Sequence, residues 1–349
     1  MRTPTWLSLA SLLLAISSAA GVPVPAMFVF GDSLVDPGNN NRLVTLAKAD
    51  YAPNGVDFPG GATGRFCNGR TVVDHLGELL GLPLIPPFHN PTTEGQRILH
   101  GVNYASASSG ILNDTGKLFG DRFPMHEQMM NFQKTVQELS SQMGGGAAGE
   151  LLQRSLFFVG MGNNDYINNY LLPFSGKPRK YTPEAYTQML IQHYRGQLKN
   201  LYRLGGRRFL VAGVGPLGCI PNQIVHSGKD AGSCVSRTNG FSLLFNSDLN
   251  LMLQELNANL SGSHFLFWDT YSTTMDVISN FSHYGNAHAH LLAHSYILFP
   301  YTACCGEGRS KSKLACLPLL PLHCRNRSEY VFWDPYHPTD AFNAIAARQ

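Results

Sequence analysis

Met27-Phe28-Val29-Phe30 is an uninterrupted apolar run that stops at Gly31, with Ser33 two positions on. Further runs of strand length occupy residues 155–160, 208–213 and 264–268. The Leu156-Phe157-Phe158-Val159 core of the second does not alternate polar with apolar. Such continuity suits a parallel strand covered on both faces. Helical patterns stand between the runs: residues 72–80 ending at Gly81, 125–143 ending at Gly144, and 235–258. Another spans Thr182 to Leu204, with Thr182 as cap, Pro183 in the first turn and Gly205 beyond the end. Gly101–Ala105 reads as a further short strand, and a last helix begins at Pro338. Strands alternating with helices predict an α/β fold with a doubly wound, mostly parallel sheet.

A strand, a tight glycine turn and then a serine put a hydroxyl at the carboxyl edge of the sheet, where open α/β folds hold their chemistry. Gly-Asp-Ser alone also fits an ordinary strand end. The far end of the chain makes it informative. Asp334-Pro335-Tyr336-His337-Pro338 supplies a base and a carboxylate to orient it, which a weakly nucleophilic serine requires. A three-residue spacing lets Asp334 reach His337 Nδ1 and leaves Nε2 facing Ser33. Acyl chemistry also needs donors for the developing oxyanion. The candidates are the N–H of Ser33, the N–H of Gly110 at the end of the small-residue loop 106–110, and the amide of Asn164 in Gly162-Asn163-Asn164-Asp165. Asp165 and Asp32 read as carboxylates that brace these loops.

The compartment can be read as well. Arg2, the apolar stretch Leu7–Ile16 and the small residues at 17–20 predict a secretory signal over residues 1–20, with one domain over 21–349. No later segment is long and apolar enough to predict a membrane span. Charged residues make up 14% and the formal charge is +3, with no basic run to suggest nucleic acid as a partner. Secretion favours pairing among the seven cysteines and leaves one over. Cys219 with Cys234 is the local pair, and Cys304, Cys305, Cys316 and Cys324 form a second cluster. Their spacing lacks the paired C-x2-C units of zinc sites. Asn113, Asn259, Asn280 and Asn326 are glycosylation acceptor sequons, which belong on the surface.

Together these blocks resemble the GDSL lipase/esterase group of SGNH hydrolases, in particular its plant secreted branch. The resemblance rests on Phe30-Gly31-Asp32-Ser33-Leu34, on Gly101-Val102-Asn103-Tyr104-Ala105-Ser106 through to Gly110, on residues 162–165, and on Asp334 to Pro338. It implies a flavodoxin-like three-layer α/β/α sandwich with a five-stranded sheet. The implied reaction is secreted, extracellular hydrolysis of acyl esters through an acyl-enzyme, without a cofactor or metal. By motif position it assigns Ser33 as nucleophile, His337 as base, Asp334 as orienter, and Gly110 and Asn164 as oxyanion donors. The chain departs from the family between Tyr284-Gly285 and Cys304-Cys305-Gly306, where 286–300 reads as an atypical insertion, and it ends twelve residues after His337, earlier than is usual.

Two other patterns carry less. Gly213-Val214-Gly215-Pro216-Leu217-Gly218 fits G-x-G-x-x-G, but Pro216 and Pro221 predict a loop where a dinucleotide site needs a helix. His288, His290 and His294 lie inside the insertion with no neighbouring carboxylate. No G-x-S-x-G elbow occurs. Two function classes follow: a secreted serine hydrolase acting on lipid, small-ester or acetyl-polysaccharide substrates (or transferring the acyl group), and a disabled hydrolase fold kept for binding.

Overall fold

The structure is a computed structural model that describes residues 24–228, 232–284, 297–306, 316–318 and 322–349. The expected signal segment lies outside the described residues, as does the 286–300 stretch up to residue 296 with its three histidines.

Strands β1 (Met27–Gly31), β2 (Leu156–Gly160), β3 (Arg208–Ala212) and β4 (His264–Trp268) form one parallel sheet in that order. Gly31, Gly160, Ala212 and Trp268 are in register, so the strands end level and their following loops share one edge. The expected fifth strand is not a regular one. Residues 100–106 run parallel along the free edge of β1 and make four bonds to it: Met27 N to His100 O, Val29 N to Val102 O, Tyr104 N to Val29 O, and Ser106 N to Gly31 O. Two features interrupt the ladder. Gly101 has φ +107°, and the Gly31 N–H is taken by Gln128 Oε1 at 3.1 Å. Counted with this segment, the spatial order is 2-1-3-4-5 in chain order, which is flavodoxin-like, with its switch point beside β1.

Side chains along each strand divide between two cores. Phe28, Phe30, Phe157, Val159, Phe209, Val211 and Phe265 face one side, and Met27, Val29, Leu156, Phe158, Leu210, Ala212 and Trp268 the other. Positions on both sides are thus mostly buried, the exceptions being Gly160, Arg208 and, on the edge strand β4, His264, Leu266 and Phe267, which explains why the first three runs do not alternate. Helices α1 (Val72–Leu79), α6 (Thr270–Ser279) and α7 (Asp340–Ala346) cover the second face. Helices α2 (Met125–Met143), α3 (Gly145–Arg154), α4 (Pro183–Arg203) and α5 (Ser236–Asn259) cover the first. Thr182 caps α4 as predicted, its side chain accepting from Ala185 N at 3.2 Å.

A second parallel pair, β5 (Phe299–Ala303) and β6 (Tyr330–Phe332), precedes the Asp334 segment. The last two residues of the expected insertion therefore belong to a strand. Disulfides Cys304–Cys324 and Cys305–Cys316 tie the end of β5 to the connection that leads on to β6, and Cys219–Cys234 closes the predicted local loop. Cys67 is the one left over, and it is buried. The G-x-G-x-x-G segment is a loop running into the short turn Leu217–Cys219, so no long helix opens there.

Gly101 gives a direct test of how closely segment 100–106 must approach β1. A Cβ there would sit 1.9 Å from Met27 O. Gly101→Ala must displace backbone and also hold a strained φ, so it should cost more than about 2 kcal/mol in urea unfolding. An unchanged midpoint would show that the edge segment is loosely held.

Candidate active site

Ser33 occupies the turn that β1 runs into. The Asp32 carboxylate closes that turn by accepting from Leu34 N at 3.0 Å. Two residues on, Asp36 accepts from Gly38 N and Asn39 N, both at 2.7 Å, and from Ala107 N at 2.9 Å. Asn39 and Asn40 donate to the carbonyls of Asn103, Ala105 and Ala107. The turn after β1 and loop 106–110 are thereby fixed to each other by buried polar groups.

The C-terminal segment arrives on the same edge. Asp334, 2% exposed, accepts from the backbone N–H of Tyr336 and of His337, each at 2.8 Å. Its Oδ2 lies 2.7 Å from His337 Nδ1. A carboxylate can only accept, so Nδ1 is the donor in this contact, and a neutral imidazole so held presents its Nε2 lone pair. Nε2 lies 2.8 Å from Ser33 Oγ, across 304 residues of chain. A hydroxyl, an oriented imidazole and a buried carboxylate in that chain of contacts form the geometry of base-assisted nucleophilic attack.

Asn164 and Ser33 line the same cleft. The Asn164 side chain is held on both sides, donating to Ser109 O at 2.9 Å and accepting from Asn168 Nδ2 at 2.6 Å. Gly110 is buried one residue beyond Ser109 and packs against Asp165, leaving no room for a side chain: a Cβ would lie 2.5 Å from Asp165 Oδ2. Gly110 is not among the cleft-lining residues. Asp165 braces this loop as expected, receiving the N–H of Ile111 and Leu112 and the hydroxyl of Thr115. The four sequon asparagines are all exposed.

The cleft has a volume of about 280 Å³ and mostly apolar walls, among them Leu34, Phe66, Phe119, Ile167, Trp268 and Phe342. Sequence reasoning missed Phe66, whose ring sits 5.0 Å from the His337 imidazole. It also missed Tyr51, Asn163 and Ser108 in the lining. No spacing rule marks these positions; only Ser108 carries a structural sign, a φ of +62°. Among the described residues no group of His, Cys, Asp and Glu is arranged to hold a metal, and no helix is long and apolar enough to cross a membrane.

The sequence matches the GDSL-like Lipase/Acylhydrolase family over residues 27–349. The chain belongs to the GDSL lipase/acylhydrolase family. It is 45% identical to Arabidopsis thaliana GDSL esterase/lipase At1g71691 over 97% of this chain and 84% of that one. It is 46% identical to GDSL esterase/lipase At1g29660 of the same plant over 93% of this chain and 86% of that protein. With GDSL esterase/lipase 7, also from Arabidopsis thaliana, it shares 43% over 93% and 86%. This GDSL protein is therefore a carboxylic ester hydrolase of the esterase/lipase kind.

The buried carboxylates of the hydrolase make its stability depend on pH. Burial pushes Asp32, Asp36 and Asp165 up to about 6, and their N–H donors offset only part of that. A raised carboxylate binds its proton more tightly folded than unfolded. Its stability contribution is complete below the unfolded value of 3.8 and is lost as pH rises through about 6. Asp74, held low by Arg65 against its own burial, works the other way below that range. The urea midpoint should therefore be highest near pH 4 and fall until about pH 6.5, where the loss levels off; a midpoint that climbs over that interval would contradict the burial argument.

Proposed function

We propose that this protein hydrolyses carboxylic acyl esters through Ser33 as nucleophile, His337 as general base and acid, and Asp334 as the group that orients the imidazole. The observation that supports this reading most is the single line of contacts from Asp334 to His337 to Ser33, at 2.7 and 2.8 Å, in a cleft with apolar walls. His337 takes the Ser33 proton as Oγ attacks the ester carbonyl, then returns it to the departing alcohol. A water, activated by the same nitrogen, releases the acid from the acyl-enzyme. The Ser33 N–H, the Gly110 N–H and the Asn164 amide are the donors assigned to the oxyanion, and of these Ser33 and Asn164 line the cleft. The mainly apolar lining favours an acyl chain over a sugar ring in the cleft. We read residues 21–349 as one hydrolase domain that follows a cleaved leader and is secreted, with sugars on the exposed Asn113, Asn259, Asn280 and Asn326.

Replacing Ser33 by Ala should lower kcat on a p-nitrophenyl ester by at least about 10³-fold while leaving the unfolding midpoint close to that of the parent. Asn164→Ala should cost about 10²–10³-fold. A fluorophosphonate should label the protein on the Ser33 peptide, and the label should vanish in Ser33→Ala. Undiminished turnover in Ser33→Ala would end the assignment. A folded protein that neither turns over esters nor takes the label would favour a binding role.

A further inference from the structure

Beside the mouth of the cleft lies a patch of aliphatic surface that the reaction does not use. Val44 and Leu46 are each 83% exposed and Leu118 is 71% exposed. They come from two segments bound side by side: Leu46 N donates to Phe119 O at 2.7 Å, Asp121 N to Val44 O at 2.9 Å, and Thr45 Oγ1 to Phe119 O at 2.8 Å. Val44 and Leu46 flank Thr45, which bridges Gly120 of the second segment. Scattered apolar residues on a surface need no explanation, but a cluster on one paired element does.

We propose that this patch is the face by which the enzyme docks onto an uncharged lipid–water surface, from which an acyl chain passes directly into the cleft. Two observations select that occupant. The patch is continuous with the cleft, because Leu46 and Phe119 belong to both: they line the cavity that holds Ser33 and His337 while Leu46 is largely in solvent. The local charge also nearly cancels, with Arg42, Lys48, Lys117, Arg122 and Lys177 set against Asp50, Asp114, Asp121 and Glu127. A polyanionic or polycationic partner would find little field here, whereas apolar side chains gain by leaving water for the acyl boundary of a lipid surface. The docking rests on the proposed use of this cleft for acyl chains, but it does not need the serine to react.

The test uses the full-length Ser33→Ala protein and sonicated phosphatidylcholine vesicles in a sedimentation assay. Binding is expected, and Val44→Ser with Leu118→Ser should weaken it at least tenfold. In the protein with Ser33 intact, the same pair should leave kcat/KM on a water-soluble short-chain ester within twofold, since neither residue lines the cleft. Hydrolysis of an emulsified long-chain ester should fall about tenfold. Failure of Ser33→Ala to bind vesicles, or binding that ignores the two serines, would overturn the proposal while leaving the triad reading intact. A concentration-dependent dimer that the serines dissolve, without vesicle binding, would assign the patch to a second copy and equally overturn it.

Discussion

Burying both faces of a parallel sheet is the constraint on which the rest of this molecule depends. Once β1 to β4 carry apolar side chains on both sides, helices must cover each face and every strand must return by a crossover. The strands then point one way, and the loops at their carboxyl ends meet along one edge. Segment 100–106 lies on one side of β1 and β2 on the other, so the chain leaves β1 at the switch point of the sheet. That is where Ser33 sits. The serine's place follows from topology before any catalytic argument begins.

The edge is held by buried polar groups more than by apolar contact. Asp32, Asp36, Asn39, Asn40, Asn103, Ser106 and Gln128 are all nearly inaccessible, and each is bonded to backbone or to another of the group. Leaving one such group unpaired costs about 1–3 kcal/mol, so the network admits one arrangement and few alternatives. It is also expensive as charge, which is why three of its neighbourhood's carboxylates sit near 6. Stability given up near neutral pH is the counterpart of a rigid turn under Ser33.

Much of this was legible in the sequence because the residues involved have few uses. A continuous apolar run such as 156–159 is poor as an exposed strand, and Thr182-Pro183 with Gly205 can hardly frame anything but a helix. Ser33, Asp334 and His337 were visible as a set because each completes what the others lack. The fifth strand was misjudged for a reason no propensity records: Gln128, 97 residues away, takes the Gly31 N–H that a regular ladder would use. Phe66 was missed for the same kind of reason. Its meeting with the His337 ring depends on how two loops fold together, and nothing in Gly64-Arg65-Phe66 announces it.

The site joins the two ends of the chain, and its precision has to be built from contacts made late in sequence. Asp340 accepts from Arg70 N at 2.7 Å and Asn68 Oδ1 accepts from Asp340 N at 2.9 Å. Trp333 Nε1 reaches Asn54 Oδ1 at 2.9 Å, and Tyr51 Oη reaches Cys316 O at the same distance. The first three tie the His337 segment to the 51–70 loop instead of to the sheet, and the last ties that loop to Cys316 of the Cys305–Cys316 disulfide. Cys304–Cys324 and Cys305–Cys316 shorten the free path of that segment before it docks, which lowers the entropy lost on closing so long a loop. A His337 Nε2 held 2.8 Å from a serine 304 positions away is thus a product of the whole closure. Weakening the 51–70 clamp would move the imidazole before it unfolded the sheet.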